Sequence, residues 1–397
     1  MSRTTAPPVR FAERHIAHIN KCYCVAPYVS RREPQRAMFL VAAEQNDPCF
    51  VYDIDGKPVE KVWDGPGGVM SMVQLPEMDG RTVLSTQRFY GFDNSEDARL
   101  VVAKALTMEP AEDAVERCAW RRFVVADMPF LHRFDVVPGR GSGNTDRYII
   151  ACTLKRNQRE PGDWSQPGQV LAARLPNDFD DLLPTNWREM PEWSPLQTPL
   201  SWKVLREGCF RNHGYHRHTD PVSGEVNCVI GCEAGTFLFR PPTVGSDEWD
   251  STQLTADPAS DAALVDLDRD GAEELLVIAP FHGDTIMVYH KNEEGAYQRV
   301  YTHPTKLPFL HAIWGGVLDD VPCVVVGHRS GDRDLFLFSY SKSKGYHVDR
   351  VAHGFGPANV INVKHTKEGE SRVRESIVCC NRETDTVTVY DVVPKNA

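Results

Sequence analysis

The chain reads as an all-β protein, a seven-bladed β-propeller with four-stranded antiparallel blades. Three observations predict it. One unit recurs seven times along the 397 residues. Its spacing settles at about 50 residues in the last four copies, which suits a four-stranded blade. Helical periodicity is nearly absent, with Pro110 to Arg117 the one helical stretch. No low-complexity tract or linker divides residues 1–397, so they read as a single domain.

Each unit opens on a polar or His-containing stretch that leads into a short alternating strand. These starts are His15 to Asn20, Gly67 to Val73, Leu131 to Val136, Asn212 to Tyr215, Ser260 to Val265, Leu310 to Trp314 and Ala358 to Val363. A turn then leads to a β-branched second strand that ends in polar residues: Phe39 to Gln45, Val83 to Phe89, Tyr148 to Lys155, Asn227 to Glu233, Leu275 to His282, Cys323 to Arg329 and Ser376 to Arg382. Third strands follow at Phe50 to Tyr52, Leu100 to Val102, Val170 to Ala172, Thr236 to Phe239, Ile286 to Tyr289, Leu335 to Phe338 and Val387 to Tyr390. Two stretches break the period, polar Arg156 to Gly168 and Pro- and Trp-rich Asp178 to Leu200, and both read as excursions from blade three on the face or rim of the ring. The N-terminal strands are expected to meet the last blade and close the ring, and the tail from Pro394 to Ala397 to fray.

Composition excludes several classes. The balance of 44 Lys and Arg against 55 Asp and Glu, net −11, argues against a nucleic-acid partner, which needs clustered cations on phosphates. Hydrophobic residues at 41% suffice for a full core. No apolar run is long enough to span a bilayer, and Met1 to Pro8 has no apolar signal region, so the expectation is a soluble protein with no membrane partner. Eleven cysteines, several inside apolar segments, point to a reducing compartment, the cytoplasm. Phosphate-loop, nucleophile-elbow, His-Glu-x-x-His and Cys-x-x-Cys patterns are all missing.

Asp266-Leu267-Asp268-Arg269-Asp270-Gly271-Ala272-Glu273-Glu274-Leu275-Leu276-Val277 resembles the repeats of integrin-like propellers. The stretch Ala279-Pro280-Phe281-His282-Gly283-Asp284-Thr285-Ile286-Met287-Val288-Tyr289 is similar to a segment in the N-terminal propeller of the aldos-2-ulose dehydratases, which also dehydrate 1,5-anhydrofructose. Propeller-type polysaccharide lyases, the rhamnose–glucuronate lyases among them, share the general architecture. This resemblance implies a sugar lyase or dehydratase working in the central funnel, with His282 and Asp284 facing that funnel from blade five. The cupin domains of the dehydratases have no counterpart in this sequence, so chemistry that resides in them is not implied.

In a propeller, innermost-strand starts and second-strand ends converge on the funnel. This chain puts His132, His213, Asp261, His311 and Asn359 at starts, and Arg88, Lys155, Glu233, His282, Arg329 and Arg382 near second-strand ends. β-Elimination on a saccharide needs a base for the α-proton, an electrophile for the enolate and an acid for the leaving oxygen. Histidine suits the first and third roles, and arginine suits the second by gripping a carboxylate. A divalent cation (Zn, Mn, Mg or Ca) held by His213, His282 and His311 is the expected alternative electrophile, and no organic cofactor is expected. The catalytic candidates are thus His132, His213, Tyr215, His282 and His311. The substrate-binding candidates are Arg88, Lys155, Glu233, Asp284, Arg329, Asn359 and Arg382. Gly214, beside His213, marks a close approach of backbone or ligand. Asp266, Asp268 and Asp270 invite a calcium reading, but Val277 stands where an EF-hand needs glutamate, which favours a hairpin turn.

The leading expectation is therefore a carbon–oxygen lyase acting on a uronic-acid-containing saccharide or a keto-sugar. A non-catalytic propeller that binds a sugar or protein partner is the alternative. A hydrolase using Glu233 and Asp261 as paired carboxylates is a third reading.

Overall fold

The structure, a computed structural model, describes residues 8–30, 33–75, 81–106, 119–366 and 372–394. The helical stretch expected over Pro110 to Arg117 and the last three residues of the tail lie outside them.

Seven sheets built on four antiparallel strands form the ring, and in the first six the chain runs from the innermost strand outward. The innermost strands of blades one to seven are Cys22–Tyr28, Met72–Gln74, Leu131–Pro138, Gly214–Thr219, Asp261–Val265, Leu310–Leu318 and Pro357–Thr366. Short alternating or wholly apolar runs rich in Val, Ile and Phe make these strands, and Gly and Asp turns separate them. The core is sandwiched between blades. Leu40 and Val51 of blade one, for example, share an apolar layer with Val83 and Ala103 of blade two.

One sequence expectation changes. His15 to Asn20 does not open blade one. Most of it belongs to the strand Arg10–His18, which pairs antiparallel with Thr386–Val393 as the outermost strand of blade seven. Its alternating, half-exposed side chains mark an outer strand, and the wholly buried run after Cys22 marks the true inner one. The N-terminal strand therefore closes the ring, as its position in the chain suggested. The Asp178 to Leu200 excursion lies on the rim. There Ser194–Pro195 adds a short parallel fifth strand to blade two beside Phe123 and Val124, and Glu192 takes the Arg122 guanidinium in two hydrogen bonds of 3.0 and 2.8 Å. The Arg156 to Gly168 excursion is stitched to the blade-two loop at Asp93, which accepts from Gln158 (3.1 Å) and from the Gly162 N–H (2.7 Å).

Candidate functional site

The funnel is built by a repeated device. In blades one, three, six and seven the innermost strand carries one extra residue at its start, so the register slips around Tyr23, His132, His311 and Ala358. Such bulges re-aim side chains out of the regular alternation. His213 holds the corresponding place just before the blade-four strand, and His282 follows the second strand of blade five with a left-handed backbone, φ 49°.

Neighbouring blades are tied at these positions by the histidines themselves. His132 Nδ1 bonds to the carbonyl of His213 (3.3 Å), His213 Nδ1 to the carbonyl of Ser260 (3.2 Å), and His311 Nδ1 to the carbonyl of Ala358 (2.7 Å). A carbonyl only accepts, so each Nδ1 carries the hydrogen and each Nε2 keeps its lone pair. The lone pair of His311 accepts the Tyr23 hydroxyl at 3.0 Å. The Nε2 atoms of His213 and His282 lie 3.3 Å apart. One ligand atom from each of His213, His282 and His311 falls within 4.8 Å of the other two, a spacing that one metal ion could bridge.

These rings are neutral. Burial holds the His132, His213 and His311 imidazoles well below the usual histidine range, reinforced by Arg133 and by the neighbouring histidines. His282 is pushed down to about 3 by burial, with Arg329 and Arg133 adding to it. A collar of aromatic rings does much of the burying, with Phe281 stacked on His282 at 4.1 Å and Phe309 and Phe92 at 4.4 and 5.2 Å. Three of the four histidines border a cavity of about 410 Å³, lined by His132, His282, His311, Tyr23, Arg329, Arg382, Glu44 and Glu383 among others.

The structure thus brings His132, His213, His282, His311, Arg329 and Arg382 together and sends the other candidates elsewhere. Tyr215 donates to Asp135 (2.6 Å) in a buried network with Arg217 and does not line the cavity. Arg88 stacks its guanidinium over Trp193 at 5.4 Å. The Lys155 ammonium is fully buried between Gln158 (2.5 Å) and the Asp163 carbonyl (3.1 Å), over the rings of Phe130 and Trp164, and fastens the 156–168 loop. Glu233 is taken by Arg211. Asp284 pairs with Lys306 at 2.8 Å in a partly exposed position, so the funnel-facing role implied by the resemblance falls to His282 alone. Asn359 follows the blade-seven bulge, is half-buried and is not a lining residue. Even the two convergent arginines are engaged. Arg329 gives two bonds to one Glu383 oxygen (2.9 and 2.7 Å), and Arg382 is held by Glu44 and Glu383.

Sequence reasoning missed Tyr23, Arg133, Glu44 and Glu383. Taking Cys22-Tyr23-Cys24 as the start of blade one would have set Tyr23 in the column with His132 and His311. Gly214 answers the question its sequence posed, because a Cβ there would meet the Ser260 carbonyl and the Asp261 Cα at 2.6 Å. The approaching group is the backbone of the next blade. In the Asp266 to Gly271 turn the carboxylates accept from the N–H groups of Asp270, Gly271 and Ala272 at 2.8 to 3.1 Å, the hairpin-turn role. Their oxygens also lie within 4.8 Å of one another.

No family model and no curated protein matches the chain. Among solved structures it is similar to a glucose dehydrogenase (13% identity, TM-score 0.43, covering 97% of this chain and 99% of that one). It is also similar to the soluble aldose sugar dehydrogenase of Escherichia coli (14% identity, TM-score 0.44, covering 97% and 100%). A third is a structure described as the Dos1 propeller (9% identity, TM-score 0.47, covering 89% and 74%). At these values the likenesses carry no argument about chemistry, and the function must be argued from the funnel.

Proposed function

We propose that the funnel is the site of a carbon–oxygen lyase acting on a saccharide, with a divalent cation held by His213, His282 and His311. The observation that carries this reading is the fixed tautomer of the ring histidines. The blade-to-blade hydrogen bonds use Nδ1, so Nε2 of His132, His213 and His311 carries the lone pair of a neutral imidazole, engaged by the Tyr23 hydroxyl at His311 and by His282 Nε2 at His213, the form in which imidazole binds metals or takes a proton. A bound cation would supply the electrophile for the developing enolate. His132 lines the cavity with an Nε2 that takes the proton α to the carbonyl or carboxylate. The electron pair of that C–H bond becomes the new double bond as the C–O bond to the leaving group breaks, and the Tyr23 hydroxyl protonates the departing oxygen. Ten cysteines, all those among the described residues, are free and buried, which supports a reducing, cytoplasmic setting. Among the described residues no helix is long and apolar enough to cross a membrane.

A second reading has its own observation. The same Nδ1 bonds lock the ring, and a propeller that binds a sugar without turning it over could use them for that alone. An absorbance screen against uronic-acid oligosaccharides and keto-sugars, with and without added zinc or manganese, separates the two. A substrate-dependent rise that is lost in His282→Ala or with chelator is the expected result. Full turnover in His282→Ala would remove the site assignment. Saccharide binding with neither elimination nor metal uptake, measured by calorimetry, would favour the binding module.

A further inference from the structure

Two cysteines meet where the chain passes from blade three to blade four. Cys209 ends the outermost strand of blade three, Trp202–Cys209, and Cys232 ends the second strand of blade four, Val226–Cys232. The Glu233 N–H donates to the Phe210 carbonyl at 2.9 Å, which draws the two strand ends together. Both thiols are free, lie in one buried apolar cluster and hydrogen-bond to each other. Their surroundings differ. The bond from Cys209 holds the Cys232 thiol below its usual range, and the N–H groups of Ala234 and Gly235 and the Arg206 guanidinium act in the same direction, against burial. Arg206 lies over the Phe237 ring at 3.8 Å, has a buried Nε without a hydrogen-bond partner and forms no ion pair among the described residues. Cys209, the donor, is raised by the same bond and by burial. A sulfur held by a cation and backbone N–H groups, with a second thiol in contact, has the surroundings of a reactive cysteine and its resolving partner. The pair lies one layer beneath the surface, because Gly208 and Phe210 on one side are exposed and Glu233 and Ala234 on the other are half-buried. Cys22 and Cys380 make a second thiol–thiol contact, but there burial pushes the Cys380 thiol well above its usual range and no cation offsets it.

We propose that Cys232 and Cys209 form a peroxide-sensitive modification site, with Cys232 the attacking sulfur and Cys209 the resolving one. The Cys232 thiolate attacks one oxygen of hydrogen peroxide, the O–O bond breaks, and the products are a sulfenic acid on Cys232 and hydroxide. The Cys209 sulfur then attacks Cys232, the S–O bond breaks, and the disulfide forms as the oxygen and the Cys209 proton leave as water. The two sulfurs are oxidised and the peroxide is reduced. The bridge encloses residues 210–231, which include His213 and the innermost strand of blade four. The proposal does not depend on the chemistry of the funnel.

The test is to treat the folded, reduced protein with hydrogen peroxide, quench by alkylation and map the peptides by mass spectrometry. The first product should be a cross-link between the peptides carrying Cys209 and Cys232. The alkylatable thiols should fall from eleven by two, and dithiothreitol should restore them. In Cys209→Ser, dimedone should trap a sulfenic acid on Cys232. In Cys232→Ser it should leave Cys209 unlabelled. Wild-type mapping decides the matter whether or not the variants fold, since absence of the cross-link between Cys209 and Cys232, or its appearance only after one between Cys22 and Cys380, overturns the proposal. A dimedone adduct on Cys209 in Cys232→Ser, with none on Cys232 in Cys209→Ser, overturns the assignment of the attacking sulfur.

Discussion

At the scale of the residue, the most informative side chain is Tyr23. Its hydroxyl occupies the one lone pair that His311 could offer a metal, so ligation has to break a hydrogen bond of 3.0 Å. Such a bond contributes about 1 kcal/mol net, and Tyr23→Phe should therefore tighten zinc binding about fivefold in a competition titration. Weaker zinc binding would mean that the phenol oxygen is itself a ligand. Gly214 offers a test of the packing around the same ring. Gly214→Ala places a methyl 2.6 Å from backbone atoms of the next blade, which a flexible side chain could relieve and a backbone cannot. Overpacking of this kind costs about 1–3 kcal/mol, to be read as a shift in the urea midpoint with the slope unchanged.

The 156–168 loop shows how one buried charge secures an element. Lys155 satisfies the Gln158 side chain and the Asp163 carbonyl, and lies near Asp93 at 3.5 Å. Lys155→Met keeps the apolar stem but leaves those acceptors without their donor, an omission worth about 1–3 kcal/mol in a buried setting. Limited proteolysis should then cut between residues 156 and 168 markedly faster than in the wild-type protein. An unchanged cutting rate would show that Asp93 and Trp164 hold the loop without the ammonium. Elements of this kind also mark the boundary of what sequence could reveal. Strand order and blade number were legible because alternation and turn residues are local signals repeated seven times. The converging histidines were legible for the same reason, since residues at equivalent places in a repeat meet. The partners were not. Glu383 beside Arg329, Asp135 beneath Tyr215 and Trp193 against Arg88 are contacts between blades or from an excursion, and nothing local in the chain encodes them. The misplaced start of blade one hid Tyr23 for a related reason, because an outer strand of blade seven precedes it in sequence.

For the whole molecule, the ring of neutral histidines makes stability depend on pH in a direction that can be worked out. His132, His213, His282 and His311 stay unprotonated in the folded state, His282 down to about 3. In the unfolded chain the same residues titrate near 6.5. Below that value the unfolded state binds more protons, so stability is fully present above about pH 6.5 and is lost as pH falls toward about 3. Each such histidine contributes a slope of about 1.4 kcal/mol per pH unit. Asp261 runs the other way, because burial raises its carboxyl to about 7 and the folded state holds a proton that the unfolded state gives up. Between about pH 4 and 6, four groups against one leave a net loss of about 4 kcal/mol per pH unit. Urea midpoints measured from pH 7.5 down to 5 should fall steeply, and His213→Gln, which cannot protonate in either state, should make the fall shallower by about one histidine's share. A midpoint that does not move over that interval would mean that the four rings gain protons in the folded protein as readily as in the unfolded chain. In that case they could not be the preset neutral acceptors on which the funnel's chemistry is argued.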